Sequence, residues 1–127
     1  MASLTDPLEN EIVNAIHGHA TFTAVTTPMK LRLVSAVGSD ATAGTAVTGG
    51  SYAPQTYTPV AASGGATSNS NLIRFDGMPA GTVAGCELWD SSGTPRRIWH
   101  TTLSSPPTMT AGQALEFAIG AATFTLT

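Results

Sequence analysis

The positions where this chain could do chemistry are its histidines, its cysteine, two carboxylates and an Arg-Arg pair beside a tryptophan. None of them forms a complete set. His17-Gly18-His19, with His100 far along the sequence, offers imidazoles, but a zinc site needs three or four ligands in fixed geometry, and no acidic or cysteine residue stands at a suitable local spacing. The pair reads instead as the end of a helix, where a protonated histidine interacts favourably with the dipole. Cys86 could act as a nucleophile only with His100 across from it, an orienting group and an oxyanion hole, and a sole thiol inside an apolar run reads as a small core residue. Glu87 and Glu116 lie in separate strand-like runs, too isolated to argue for an acid–base pair. Thr48-Gly49-Gly50 and Ser63-Gly64-Gly65 lack the lysine of a phosphate loop and read as turns. Arg96-Arg97 beside Trp99 suits an anion or a stacking partner, yet a solvated hairpin end accounts for the same residues. Trp89 and Trp99, among apolar neighbours, read as core. No cofactor and no metal are expected, and the chain is expected not to be an enzyme.

These residues sit in a chain of 127, enough for one domain (1–127) that buries about two-thirds of the surface its unfolded form exposes. Only 10% of the residues are charged and the formal net charge is −3, while Thr, Ser, Ala and Gly abound. A surface so poor in charge is weakly protected against association, so much of it is expected to be covered by other subunits. The five basic residues, Lys30, Arg32, Arg74, Arg96 and Arg97, form no run beyond one Arg pair, which argues against nucleic-acid binding. One cysteine excludes an internal disulfide. The opening MASLTDPLENE is acidic, without a basic flank or apolar run, so no signal peptide is predicted, and no stretch approaches the ~20 apolar residues of a membrane span.

The elements that must position these residues begin with a helix over about 6–18. Asp6 is the predicted N-cap, Pro7 takes the first helical position, Glu9 completes a capping box and Gly18 stops the helix. Leu8, Ile12 and Ile16 recur every four residues beside Val13 and Ala15, an apolar stripe that must pack on this chain's own sheet or on a neighbour's. From about 20 to 127, β-branched and aromatic residues punctuated by Gly, Pro and Ser predict a β domain. Met29–Val37 alternates Leu31 and Leu33 against Lys30 and Arg32, one side buried and the other wet or at an interface. Gly38–Gly50 reads as a long contact loop, functional or mobile. Ser51–Val60, with Pro54 and Pro59, reads as an edge strand, 61–71 as turn, and Leu72–Phe75 as a short strand. The centre of the sheet is predicted at Gly81–Leu103, where Val83–Trp89 and Ile98–Leu103 form a hairpin across Asp90-Ser91-Ser92-Gly93 with Gly93 in the left-handed region. Ser104–Pro107 is a stiff loop, and 114–119 and 122–127 finish the sheet, with Leu115, Phe117 and Ile119 facing inward, Gly120 marking a bulge or bend and the last strand running to Thr127. The predicted fold is mainly β, an antiparallel β-sandwich or jelly-roll-like barrel preceded by one N-terminal amphipathic helix.

Several stretches together carry a resemblance: Leu8-Glu9-Asn10 opening a helix that closes at His17-Gly18, the strand MKLRLVSA, then GGSYAPQTYT, ASGGATSN, LIRF, GTVAGCELWDSSGTPRR and AGQALEFAIGAATFTL. Over nearly its whole length the chain resembles a family of small tailed-phage virion proteins of the tail-fibre or minor-capsid kind. None of these stretches is a catalytic motif, so the resemblance implies assembly rather than turnover. Cys86 stands where such chains more usually carry a branched aliphatic residue. Lacking a shaft or repeats, the chain is expected to be a head-surface decoration or minor capsid protein that binds and stabilises the major capsid protein lattice. A homo-oligomer is expected, with a trimer favoured, and neither nucleic acid nor membrane as partner. A minor tail or tail-fibre component touching the host surface, and a glycan-binding module with an aromatic platform, are the competing readings. The expected partner contacts are Leu8, Ile12, Ile16, Tyr52, Tyr57, Arg96, Arg97 and Trp99.

Overall fold

The computed structural model describes residues 2–126. In chain order its elements are β1 (Ser3–Leu4), α1 (Asp6–Ile16), β2 (Met29–Ala36), β3 (Thr45–Ala46), β4 (Gln55–Tyr57), β5 (Ala66–Ser68), β6 (Ile73–Phe75), β7 (Gly81–Thr82), β8 (Gly85–Trp89), β9 (Arg97–Thr102), β10 (Thr108–Met109), β11 (Leu115–Phe117) and β12 (Thr123–Thr125). The period-two alternation of β2 sets the architecture. Its neighbours join it antiparallel in the order β1-β9-β8-β2-β3, and β4 pairs with β2 as well, making six strands. The registers Leu31↔Leu88, Leu33↔Cys86 and Leu88↔Trp99 put an apolar row on one face, while Arg32↔Glu87 and Glu87↔His100 put a charged row on the other. The β8–β9 hairpin lies inside this sheet, as its apolar content predicts.

The apolar face carries the main core, in which Leu31, Leu33, Cys86 and Leu88 meet Tyr57, Ile73, Phe75, Met109 and Phe124. Much of that cover comes from three two-stranded ribbons, β5–β12, β6–β11 and β7–β10. The second layer is therefore in pieces, and among the described residues no closed barrel forms. The fold is mainly β and antiparallel with a short N-terminal helix, as expected. Where it departs, local composition was overruled by pairing. β5 lies in the turn-like 61–71 stretch, and its small side chains hold a strand because β12 supplies a ladder from far along the chain. Ile119, expected inward, is exposed, because the strand ends at Phe117 and Gly120 turns the chain at φ +82°, its N–H donating to the Asn69 carbonyl at 2.9 Å. β12 stops at Thr125, and Thr127 lies outside the described residues.

The helix starts at Asp6 with Thr5, not Asp6, as its N-cap, and it ends at Ile16. Thr5 has the extended backbone of an N-cap, but its hydroxyl donates to the Arg97 carbonyl at 2.8 Å and accepts from no N–H of the first turn, so the capping box is not made. Asp6 and Glu9 still place negative charge where the helix dipole favours it. Leu8 is buried with Leu4 and Ile98, and Ile12 packs beside them, so the helix lies on its own chain's sheet. The rest of the stripe is left over: Val13 is 53% exposed and Ile16 75%.

At Gly85, the first residue of β8, there is no room for a side chain. A Cβ there would lie 2.2 Å from the Thr101 carbonyl oxygen and 2.8 Å from Val37 Cγ1. Backbone and a packed side chain cannot both step aside, so Gly85→Ala is expected to cost about 1–3 kcal/mol, the usual penalty of overpacking. The urea midpoint measures it, and an unchanged midpoint would show that the two strands separate freely.

Candidate functional site

One irregularity organises the charged face. Strict alternation back from Trp99 would send Arg97 to the apolar side; a register shift between Leu88 and Trp89 leaves Ile98 unmatched and sets Arg97 opposite Trp89, on the side of Glu87. Ile98 meets Leu4 and Leu8 instead. Glu87, 1% exposed, is then ringed by donors: Arg32 Nη2, Gly44 N at 2.7 Å, and Arg97 Nη1 and Trp89 Nε1 each at 3.0 Å. Burial alone pushes its carboxyl up, but the Gly44 N–H and the Arg32, Trp89 and Arg97 donors outweigh burial and hold it below the usual carboxylate range. Arg97 carries the network into the Gly38–Gly50 segment, donating to the Thr42 carbonyl at 2.8 Å and the Asp40 carbonyl at 2.9 Å, while His100 Nε2 meets Asp40 Oδ1 at 2.6 Å. This segment, whose composition suggests a free contact loop, contains β3 and is tied down over the charged row.

The hairpin end is closed by a carboxylate. Gly93 was expected at positive φ and is not there. Asp90 Oδ1 accepts from Arg96 N at 2.7 Å and Ser92 Oγ at 2.9 Å, and its Oδ2 accepts from Arg96 Nε at 3.2 Å and Thr26 N at 3.4 Å. Arg96 also donates to both Glu11 oxygens at 3.0 and 3.1 Å and to the carbonyls of Thr23 and Ala24, so one guanidinium ties helix, linker and hairpin together. Neither arginine is the solvated hairpin end that the sequence suggests.

Burial pushes the Asp90 carboxyl up, yet the Arg96 N–H, the Ser92 hydroxyl, the Thr26 N–H and the Arg96 guanidinium together bring it from the ordinary 3.8 down to about 2. A carboxylate held lower when folded stabilises the fold fully above about pH 4 and loses that contribution as the pH falls toward about 2. The amount is about 2 kcal/mol. Asp90→Asn is therefore expected to flatten part of the acid sensitivity, read from urea midpoints near neutrality and at about pH 2.5; undiminished sensitivity in the variant would remove Asp90 from the account.

The predicted contact residues divide. Leu8 and Tyr57 are buried within this chain, Tyr57 edge-on to Phe124 with ring centroids 5.3 Å apart. Tyr52 is half-buried, its hydroxyl accepting from Leu33 N at 2.8 Å and its ring stacked on Phe75. Trp99 is half-buried against Phe124, and Arg96 and Arg97 are held as described. Ile16, with Ile12 part-covered behind it, is the one that lies open. Cys86 pairs with Thr101 and Leu33 across the sheet, while His100 pairs with Glu87, so thiol and imidazole do not face each other. Burial first and the Glu87 charge second push the thiol up to about 12, which keeps it protonated at neutral pH. Among the described residues no three His, Cys, Asp or Glu side chains gather as a metal set, and no helix is long and apolar enough to cross a membrane.

Lys30, Arg32, Pro54, Trp89, Asp90 and Pro95 line an open recess of about 370 Å³. The Arg32 guanidinium carbon lies 4.5 Å from the centroid of the Trp89 ring. Lys30 Nζ donates to Thr56 Oγ1 at 2.8 Å, and among the described residues it alone of the five basic side chains has no carboxylate partner. Half of this was readable: Lys30 and Arg32 alternate onto the wet side of β2. Trp89 reads as core and the prolines as turn residues, so their convergence carries no local signal.

The family model described as Podophage GP4 fiber I protein gp80 matches residues 3–125. No curated protein matches the chain.

Proposed function

Since the chain belongs to the podophage GP4 fiber I protein gp80 family, we propose that it is a non-enzymatic structural subunit of a virion fibre, a tail component that binds other virion subunits and contacts the host surface. The match over residues 3–125 carries this reading. The molecule is in keeping with it. Its carboxylates and arginines are used to lock the hairpin, loop and helix into one rigid unit, and exposed Val13, Ile16 and Phe22 offer apolar area to a neighbouring subunit. The want of a shaft or repeat, which argues for the head surface, weighs less than the family's name, because a fibre is assembled from several chains and not each of them is a shaft. The subunit works as a homo-oligomer, with three-fold closure as its state.

Immunogold labelling of intact particles with an antibody to this chain is expected to mark the tail. Label scattered over the head would overturn the fibre assignment in favour of lattice decoration, and absence from purified particles would overturn both.

A further inference from the structure

We propose that the recess of Lys30, Arg32, Pro54, Trp89 and Pro95 binds a carboxylate-bearing pyranose, a uronic or sialic-type sugar; this rests on the fibre reading only in taking a host-surface polysaccharide as the source. Its walls are an indole, the guanidinium lying over that indole, two pyrrolidine rings and the stem of a lysine, which are flat or apolar surfaces against which the C–H face of a sugar ring packs. A volume of about 370 Å³ falls at the small end of ligand sites, which span roughly 300–1,000 Å³, and has room for one or two sugar rings.

The charge in and around the recess selects an anion. Arg32 and Arg97 share the Glu87 carboxylate while Asp90 and Glu11 share the Arg96 guanidinium, so these two clusters cancel and Lys30, with no carboxylate partner among the described residues, supplies the unpaired positive charge, although the whole chain carries −3. Asp90 also lines the recess, but its oxygens are taken by Arg96, Ser92 and Thr26, and its side chain is fully buried. The Lys30 ammonium has three donors and gives one to Thr56, leaving two for a ligand carboxylate. An ammonium with two free donors beside flat apolar walls suits a single carboxylate carried on a ring.

The test is a titration of the full chain, by saturation-transfer NMR and calorimetry, with digalacturonate and the methyl glycoside of N-acetylneuraminic acid. Controls are digalacturonate methyl ester, sodium acetate and an Asp-containing acetylated tripeptide. The acidic sugars are expected to bind, each control at least about tenfold more weakly, and Lys30→Gln is expected to weaken acidic-sugar binding about tenfold with an unchanged melting curve. Trp89→Phe, which keeps an aromatic wall, is expected to weaken it less than Trp89→Leu. Equal binding of ester, acetate or tripeptide, indifference to Lys30→Gln, or no binding of either acidic sugar at about 10 mM would overturn the assignment. Tail labelling with no sugar bound would remove this site and leave the fibre assignment standing; sugar binding with label over the head would do the reverse.

Discussion

Glu87→Gln is expected to remove about 3–5 kcal/mol of folding stability, the range found when one partner of a buried ion pair is lost. The substitution keeps volume and shape, so the loss is electrostatic. Four donors point at the Glu87 carboxylate, from Arg32, Arg97, Trp89 and Gly44. A neutral amide turns one of its two acceptor positions into a further donor and leaves guanidinium charge facing guanidinium charge. Arg97, only 7% exposed, cannot swing out to water, and Arg32 Nε already lacks a partner among the described residues. Set against a typical total of about 5–15 kcal/mol, this approaches unfolding at ambient temperature. The internal control is Glu116→Gln. Arg74 and Glu116 also form a close ion pair across paired strands, but both side chains are about half exposed, so water takes over the lost contact and the loss is expected to be small beside that of Glu87→Gln. Urea unfolding of both variants at neutral pH decides the matter: equal losses would mean that the buried carboxylate has no special weight.

Phe75→Ala is expected to cost a similar amount, about 3–5 kcal/mol, by a different route. Phe75 is fully buried, stacks on Tyr52 with centroids 5.7 Å apart and meets Phe117 edge-on at 6.3 Å. It stands on the three-residue strand β6, whose only ladder partner among the described residues is β11. The ribbon has little hydrogen bonding of its own to hold it against the sheet, so emptying the aromatic position both opens a cavity and loosens the contact that docks the ribbon. Phe75→Leu keeps most of the volume and is expected to cost less than half as much. Matching losses for the two variants would show that cavity size is not what matters there.

What could be read from the sequence was whatever a short stretch determines alone. Val83–Trp89 and Ile98–Leu103 announce a hairpin by their apolar runs, and the alternation in MKLRLVSA assigns Leu31 and Leu33 to the core and Lys30 and Arg32 to the other face. The site escaped because its residues are brought together by events with no local mark. Nothing near Ile98 signals a register shift, yet that shift decides which face Arg97 joins. The hairpin link contains a glycine that would make a turn by itself, and an aspartate that in fact makes it, with help from Thr26, distant in sequence. Asp6 has the better capping side chain and so outranks its neighbour Thr5 in the sequence, while the Thr5 hydroxyl donates to the Arg97 carbonyl instead of serving the helix. β5 looked like a turn because small polar residues prefer turns unless a partner strand is supplied, and β12 supplies it.

The ladders that join sequence-distant strands also govern how the protein comes into being. β1 waits for β9, β5 for β12 and β6 for β11, and the one tight link between long neighbours is that of β8 and β9. A nascent chain emerging from the ribosome can form the helix and pair β2 with β3 and β4, but it holds bare edges until Thr125 has been made. Such non-local topologies mature on the millisecond-to-second scale and expose sticky intermediates meanwhile. The surface that such a chain offers another subunit is therefore complete only once β12 has joined β5 and β11 has joined β6.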